Sequence, residues 1–372
     1  MLPSTPQSLV NLRGEMNSAA STRSSLGGPS KTKLTDDDAV RVVVRIRPMN
    51  DNEKGREEAC VLEAQAGAKS LQVRTSGRES MKQYAFNMVS DPATTQKQFF
   101  DGCGIKNLLD SALNGYAATA FAYGQTGSGK TFTISGHQER IETIASDTGG
   151  TSSDGLVPRS IRYLFDCISR ARQGVGDGET TFSVRASFAE IYNEQVYDLL
   201  NLQSGPLQVR WNIRNGFFVQ DLFVVECENV DDVMAVVSEG HRNRRVGSHE
   251  MNMDSSRSHS LLTLHLESES IDPDDGHMMV KFGKMVFVDL AGSERLKESK
   301  ATGVTMTETG AINKSLFTLG KVISALGKKD QRERHGKSND KNFVPYRDSK
   351  LTKLLMDSLG GSCMTLMIAC CR

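Results

Sequence analysis

Eight residues, Gly124 to Thr131, have the composition of a phosphate-binding loop. They read GQTGSGKT and match G-x-x-x-x-G-K-[ST] at every fixed position. The glycines would let successive backbone N–H groups turn inward around a di- or triphosphate. The apolar run before the loop, Ala117 to Tyr123, predicts a buried strand, and a helix beginning at Thr131 would add favourable partial charge. A chance match in a Gly/Ser-rich loop is the alternative, and the preceding strand argues against it.

Every residue of this loop is predicted to contact nucleotide: Gly124, Gln125, Thr126, Gly127, Ser128, Gly129, Lys130 and Thr131. Lys130 would neutralise the β- and γ-phosphates, and the Thr131 hydroxyl would bind Mg²⁺. Such a loop indicates a nucleotide but not a reaction, because hydrolysis also needs a metal anchor, a γ-phosphate sensor and a group that orients water.

Two further polar stretches could supply those groups. The sequence Asp289-Leu-Ala-Gly-Ser-Glu294 follows an apolar strand, so Asp289 is placed to hold Mg²⁺ directly or through water. Gly292 would leave its backbone N–H accessible to a γ-phosphate. We predict these roles at the carboxyl end of the strand.

The second stretch, Asn252 to His259, reads NMDSSRSH and lies just before another predicted strand. Ser255 and Ser256 could reach phosphate, Mg²⁺ or the attacking water. Arg257 could pair with Glu294 and close the pocket when nucleotide draws both loops inward. His259 fits a structural role better than proton transfer.

Each of these residues also has a plainer interpretation when taken alone. Asp289 could be a turn residue at a strand end, Ser-Ser-Arg a solvated loop, and Glu294 a surface acid. The three stretches together favour a nucleotide pocket.

The composition limits the possible partners and compartment. Among 372 residues, 45 basic and 45 acidic side chains cancel, so the overall charge points to neither nucleic acid nor a membrane surface. Seven cysteines show no zinc-ligand spacing and suit free thiols in a reducing compartment. With no apolar run of membrane-spanning length and no secretory leader pattern, we expect a cytosolic protein.

The order of predicted elements gives the fold class. Residues 1–37 are rich in Ser, Thr, Gly and Pro and are expected to be a disordered tail, and residues 38–372 form the folded domain. Strands are predicted at 39–46, 117–123, 181–191, 196–200, 261–267, 284–290 and 364–371, and helices at 97–114, 158–167, 230–245 and 313–326. Strands interleaved with helices indicate a three-layer α/β domain whose sheet is mixed by hairpins.

Together the three loops resemble the nucleotide pocket of kinesin motor domains. Further segments resemble kinesins in family order: VRIRP at 44–48, AEIYNEQVYDLL at 189–200, INKSLFTLGKVISAL at 312–326 and VPYRDSKLTKLLMDSLGG at 344–361. The likeness covers about residues 39–372. It implies a P-loop NTPase fold of kinesin type, with a central mixed, mainly parallel sheet flanked by helices.

The resemblance also implies the ligands. Mg·ATP would bind with Arg45 and Pro48 flanking the base and Phe132 against the edge of its ring, where many family members have histidine. Metal would be held by Thr131, Ser256 and Asp289. The catalytic set would be Glu294, Arg257, Ser255 and Gly292, which sense the γ-phosphate, close the site and orient water without a covalent intermediate.

The partner implied by the family is the microtubule, which would place the protein on the cytoplasmic cytoskeleton. Between residues 328 and 353 lie nine basic and four acidic residues, a net excess of five. A solvated loop is the plainer interpretation of such a run. We predict microtubule contacts at Lys328, Lys329, Arg347, Lys350 and Lys353.

Some features depart from the family pattern. Residues 295–311 lack some charged residues common in kinesins, which predicts weaker microtubule stimulation. The last helix and neck linker of kinesins would follow residue 371, so the sequence as given is expected to be incomplete at its C-terminal side, to leave one sheet flank uncovered and not to walk. No heptad pattern predicts a dimer.

Two other functions remain open. A slow or inactive motor could serve as a nucleotide-dependent microtubule adaptor. A myosin-like or GTP-binding protein is less consistent with the sequence, which has SSRSH rather than SSRFG and no N-K-x-D signature.

Overall fold

The computed structural model describes residues 40–54, 62–64, 69–74, 81–137, 152–173, 180–213, 216–250, 255–272, 276–294, 314–327, 343–360 and 363–372. Residues Ala39–Arg372 form one compact unit. The predicted tail at 1–37 lies outside the described residues, so that prediction stays as it is.

The strands of the described residues are Val40–Ile46 (β1), Leu62–Ala64 (β2), Ser70–Arg74 (β3), Met81–Ala85 (β4), Met88–Ser90 (β5), Ala117–Tyr123 (β6), Thr181–Tyr192 (β7), Gln195–Asp198 (β8), Pro206–Leu207 (β9), Val209–Asn212 (β10), Gly216–Val219 (β11), Val225–Cys227 (β12), His259–Ile271 (β13), Met278–Asp289 (β14) and Met364–Cys371 (β15). The helices are Asp51–Lys54 (α1), Gln96–Gly102 (α2), Ile105–Leu113 (α3), Lys130–Ile134 (α4), Leu156–Gln173 (α5), Val230–Glu250 (α6), 314–327 (α7), Lys350–Leu354 (α8) and Met356–Gly360 (α9). Short 3₁₀ turns occur at Leu202–Ser204, Ser255–Arg257 and Tyr346–Asp348.

Ten strands form the central sheet, in the order β5-β1-β15-β6-β14-β13-β7-β8-β9, with β12 also paired to β7. The pairs from β5 to β14 are all parallel, and the pairs from β14 to β9 are all antiparallel. The predicted mixed sheet is confirmed, and its parallel half carries the loop after β6.

Helices cover both faces of this sheet. Small alanines of β6 lie under α2, α3, α5 and α6 in one apolar cluster, whereas Phe121 points to the opposite face. There it packs with residues of α7, α8 and α9, such as Leu319 and Leu355. Because side chains of a strand alternate between faces, one buried strand anchors both layers. The predicted three-layer arrangement is confirmed.

The helix predicted at 97–114 is wrong in one respect, since two helices occupy this span. Gly104 separates α2 from α3 and has a φ of 93°, a left-handed conformation that interrupts a right-handed helix. A Cβ at Gly104 would lie 2.9 Å from the Arg41 side chain. The glycine therefore allows the chain to turn close against β1, which the helical spacing of apolar residues could not reveal.

The other elements follow the predictions with shifted ends. The helix predicted at 158–167 runs from 156 to 173, and the one predicted at 230–245 continues to 250. The hairpin of β13 and β14 pairs twelve residues of each strand, from Ser260–Asp289 to Ile271–Met278. Both of its strands are longer than predicted. Near the turn that joins the two strands, buried and exposed residues do not alternate clearly. The sequence pattern there therefore did not predict a strand.

In the described ranges, no helix is long and apolar enough to cross a membrane. The six cysteines found there are all free thiols.

Candidate nucleotide site

The predicted phosphate loop lies between β6 and α4, at the carboxyl end of a central parallel strand. A Cβ at Gly124 would lie 2.3 Å from the carbonyl oxygen of Cys370 in β15, so only glycine fits there without a shift. Gly129 has a φ of 94° just before α4 begins at Lys130. These backbone requirements explain why the loop is rich in glycine.

Lys130 is turned back onto its own loop. Its Nζ donates to the carbonyl oxygens of Gly124 at 3.0 Å and Gln125 at 3.1 Å, and the residue is 8% exposed. Burial lowers the pKa of Lys130 below its ordinary value, and the negative charge of Asp289 acts in the opposite direction. A phosphate at the loop would offer this ammonium group stronger acceptors than neutral carbonyls.

The predicted metal corner has a suitable donor set. The Thr131 Oγ1 donates to Asp289 Oδ2 at 2.7 Å. Asp289 is 4% exposed, and its other carboxylate oxygen has no hydrogen-bond partner within the described part of the chain. A buried, unsatisfied carboxylate oxygen beside a hydroxyl fits a hard cation such as Mg²⁺, directly or through water.

Arg244 is a residue that sequence reasoning misplaced. The helix predicted at 230–245 would end one residue after it, but α6 continues past it to 250 and the Arg244 side chain is buried. Its guanidinium lies 3.2 Å from Glu190 and 3.4 Å from Asp289, and it donates to the hydroxyls of Ser258 and Ser260. Glu190 is an acid inside a buried strand, and this was the available signal that a basic partner must exist.

The loop at 289–294 contacts both the phosphate loop and the turn that contains Ser256. The Ser293 N–H donates to the Gly124 carbonyl at 3.1 Å, and the Gly292 N–H donates to the Ser256 carbonyl at 2.8 Å. The first hydrogen bond joins segments separated by more than a hundred residues, and the second joins the two polar loops to each other. Ser255 and Arg257 lie with Ser256 in a 3₁₀ turn, and only the backbone of Ser255 is described.

Glu294 lies directly on the phosphate loop. Its carboxylate accepts from the Thr126 N–H at 2.8 Å and also from the Thr126 hydroxyl. Burial alone would raise the pKa of Glu294, but these hydrogen bonds and the charge of Lys130 lower it below its ordinary value. The carboxylate is therefore ionised beside the position of the phosphates. Its predicted pairing with Arg257 stays a prediction.

The three predicted base-binding residues differ in exposure. Arg45 is 8% exposed and donates to Gln96 Oε1 at 2.7 Å and Thr133 Oγ1 at 3.1 Å. Its guanidinium also lies 5.5 Å from the centre of the Phe132 ring. The prediction that Arg45 flanks the base stays a prediction, and the structure places its guanidinium against Phe132. Pro48 and Phe132 are exposed and remain available to a base.

Arg47 was not predicted and touches the tip of the loop. Its Nε donates to the Gly127 carbonyl at 2.6 Å, and its other nitrogens bond Glu53 at 2.5 and 2.8 Å. The two arginines of VRIRP are two residues apart, which in a continuous strand would place both on one face. Because β1 ends at Ile46, Arg47 lies beyond the strand and takes a different role. Glu53 and Arg47 together brace the loop from the side of α1.

Of the predicted microtubule contacts, Lys328 and Lys329 lie outside the described residues. Arg347 is exposed on a 3₁₀ turn, and Lys350 and Lys353 are partly exposed on α8. The start of α8 is held by Glu194, which was not predicted.

Glu194 lies in the turn between β7 and β8. Its carboxylate accepts from the Ser349 hydroxyl at 2.6 Å and from the Lys350 N–H at 2.9 Å. It has a φ of 57°, which is uncommon for a residue with a Cβ. The short-range sequence gives no sign of a partner 155 residues away.

The fold and this site define a phosphate-loop nucleotide-binding domain. The family model of the kinesin motor domain matches residues 45–372. Kinesin-like protein KIF12 of Mus musculus is 41% identical over 335 residues, which are 89% of this chain and 48% of that protein. Kinesin-like protein KIF15 of Homo sapiens is 40% identical over 351 residues, which are 93% of this chain and 24% of that protein. A solved structure of a fast kinesin matches with a TM-score of 0.75 and 34% sequence identity. The match covers 90% of this chain and 85% of that kinesin chain.

The chain belongs to the kinesin motor domain family, which confirms the resemblance. It spans about half the length of KIF12 and about a quarter of KIF15.

Proposed function

We propose that this domain hydrolyses ATP with Mg²⁺ and that the nucleotide state changes its affinity for microtubules. The observation that carries the proposal is a set of contacts among three separate segments. The 289–294 loop contacts the phosphate loop through Ser293 with Gly124 and Glu294 with Thr126, and it contacts the turn that contains Ser256 through Gly292. A terminal phosphate bound there would touch all three segments at once. The absence of N-K-x-D from the sequence favours adenine over guanine.

The chain supplies positioning and charge rather than a covalent nucleophile. Lys130 exchanges the carbonyls of its own loop for phosphate oxygens. Thr131, Ser256 and Asp289 would hold Mg²⁺, which when bound neutralises charge on the β- and γ-phosphates. Phe132 and Pro48 present apolar surface to the base, and Arg45 keeps Phe132 in place.

Glu294 and Gly292 act at the γ-phosphate end. Glu294 releases Thr126 when phosphate binds, and with Arg257 it orients the water that attacks the γ-phosphorus. The bond between the γ-phosphorus and the β–γ bridging oxygen breaks, and ADP and inorganic phosphate leave. The Gly292 N–H and Ser255 sense whether the phosphate is present. Loss of the phosphate frees both loops to move.

The microtubule would be met by the basic side of the domain. Arg347, Lys350 and Lys353 lie together at the start of α8, and Lys328 and Lys329 would follow the end of α7. Attraction between such a surface and acidic tubulin would weaken as salt is added. We propose a cytoplasmic location on microtubules.

Steady-state ATPase with and without microtubules at low salt tests this proposal. Strong stimulation that Lys130→Ala abolishes would support it. A matched control is Lys97→Ala, because Lys97 is 76% exposed in a surface ion pair with Asp101 and should not affect turnover. Microtubule binding without stimulation would indicate a nucleotide-dependent adaptor, and no binding of ATP would overturn both functions.

A further inference from the structure

His259 joins three elements through its two ring nitrogens. It is the first residue of β13 and is 2% exposed. Its Nδ1 accepts from the Ala291 N–H at 2.9 Å, in the loop after β14. Its Nε2 lies 2.7 Å from the Ser315 hydroxyl in α7. Because Nδ1 is the acceptor, Nε2 carries the proton and donates to Ser315.

The position of Ala291 makes this contact sensitive to nucleotide. Ala291 lies between Asp289, at the metal corner, and Gly292, whose N–H bonds the turn that contains Ser256. A phosphate that moves Gly292 must therefore also move the Ala291 N–H. The imidazole is a rigid plane, so a shift at Nδ1 is passed to Nε2 with little loss.

The position of Ser315 makes the contact relevant to the partner surface. Ser315 is 2% exposed near the start of α7, the helix that leads to the basic stretch from residue 328. Leu319 and Val322 hold the same helix to the sheet through apolar packing. Apolar packing is non-directional and tolerates sliding, whereas a hydrogen bond fixes direction and register.

The ring is unsuited to carrying protons at neutral pH. Burial, with the positive charges of Arg244 and Lys130, lowers the pKa of His259 to about 3. The imidazole therefore stays neutral, and its tautomer is fixed by the two hydrogen bonds.

We propose that His259 is a positioning residue that transmits movement of the loop at Ala291 to α7 through Ser315. This inference rests on the proposed function and identifies one physical contact through which nucleotide state reaches the microtubule-facing side. The residue touches neither nucleotide nor water in the reaction.

Two substitutions separate the ends of this linkage. An asparagine at position 259 would place its amide oxygen where Nδ1 lies in the histidine, but it is too short to reach Ser315. Gln places a donor near Nε2 but offers nothing at Nδ1. His259→Asn should keep the Ala291 contact, His259→Gln should keep the Ser315 contact, and Ser315→Ala should reproduce His259→Asn. Adding Ser315→Ala to His259→Asn should cause no further loss.

The readout is hydrogen exchange of α7 in the full chain, with Mg·ADP and then with a non-hydrolysable ATP analogue. We expect the wild-type difference in α7 protection to fall ~3- to 10-fold in all three single variants, the range that one hydrogen bond supports. The ratio of microtubule affinities in the two states should fall to the same extent. ATP turnover without microtubules should stay close to wild type. The control His277→Asn changes an exposed histidine in the turn between β13 and β14 and should alter neither readout.

The outcomes distinguish this linkage from the proposed function. If His259→Asn or His259→Gln keeps the wild-type difference in α7 protection between the two nucleotide states, the linkage is overturned while the proposed function stands. If melting temperature falls but the nucleotide-dependent difference persists, His259 is only structural. If wild-type α7 exchanges equally in both nucleotide states, the switch itself is overturned, and the linkage with it.

Discussion

The two halves of the central sheet contribute to the site in different ways. In the parallel half, the backbone after β6 forms the phosphate loop, and the strand end of β14 presents Asp289. In the antiparallel half, side chains supply buried charge and contacts: Glu190 on β7, His259 on β13 and Glu194 in the β7–β8 turn. On the proposed function, the parallel half binds phosphate, and the antiparallel half connects that site to the rest of the domain.

This difference follows from strand geometry. Parallel strands end at the same edge, so their following loops converge on one ligand. Antiparallel strands return the chain through hairpins, and their turns reach away from that edge to other helices. Arg244 lies between the two halves, because it contacts Glu190 on one side and Asp289 on the other.

The largest expected effect comes from breaking this junction. Arg244→Ala would leave the buried carboxylate of Glu190 without its charge partner, and removing one member of a buried pair costs about 3–5 kcal/mol. The free energy of unfolding, measured in urea, should fall by that amount. Arg242→Ala removes a surface pair that is 62% exposed on the arginine side and should change it by only about 0.5 kcal/mol. Equal effects of the two substitutions would show that the junction contributes no special stability.

The second effect isolates the parallel half. On the proposed function, Glu294 orients water and does not hold the phosphates. Glu294→Ala should therefore lower the rate of ATP hydrolysis by about 100-fold, while ATP affinity changes only a few-fold. Single-turnover kinetics together with equilibrium nucleotide binding measure the two quantities separately. Glu294→Gln keeps an acceptor for Thr126 but loses the charge, and it should be similarly slow. Unchanged turnover would remove Glu294 from the mechanism.

Sequence alone predicted strands in both halves and the phosphate loop of the parallel half, but it missed the side-chain pairs of the antiparallel half. The loop at 124–131, the strand at 364–371 and the acid at 289 carry local signals of composition and spacing, and the structure places them as expected. Arg244 with Glu190, and Glu194 with Ser349, are separated by 54 and 155 residues. No local pattern encodes such pairs, because only the folded chain brings them together.

Tertiary contacts also account for features near the site that the sequence did not reveal. Arg45 and Arg47 are two residues apart, and residue type alone did not show which one is buried beneath Phe132 and which one touches Gly127. The break at Gly104 depends on close contact with β1. In each case a tertiary contact decided the outcome.

The third effect tests the turn of the antiparallel half. Glu194→Ala removes the carboxylate that accepts from Ser349, the N-cap residue of α8, and from the Lys350 N–H. It should lower the free energy of unfolding by about 1–2 kcal/mol, as the loss of other helix-cap hydrogen bonds does. On the proposed function it should also weaken microtubule affinity, because α8 carries Lys350 and Lys353. Glu194→Gln keeps one acceptor and should lose roughly half as much. Denaturation and cosedimentation with microtubules measure the two effects, and a loss of affinity at full stability would contradict a role limited to capping.

The smallest effect concerns acid sensitivity, which the comparison assigns to the antiparallel half. His241 on α6 packs edge-on against Phe188 of β7 with 5.4 Å between ring centres. Burial, with the charge of Arg244, lowers the pKa of His241 to about 4. The unfolded chain takes up this proton near pH 6.5, whereas the folded domain does not until about pH 4. The contribution of neutral His241 to the free energy of unfolding is therefore fully present above pH 6.5 and is lost as the pH falls from 6.5 towards 4.

Because the unfolded chain takes up this proton, one such histidine should lower the free energy of unfolding by about 1 kcal/mol between pH 7 and pH 5.5. His241→Phe keeps an aromatic ring and cannot take up a proton. Between pH 7 and pH 5.5 the free energy of unfolding of this variant should therefore fall by about 1 kcal/mol less than that of wild type. His137→Gln changes an exposed histidine beside Phe132, at the parallel half, and should leave the pH dependence as it is. Hydrogen exchange at pH 5.5 should then show α6 and β7 opening before β1 and β6. Earlier opening of β1 and β6 would show that acid sensitivity does not follow the division of the sheet.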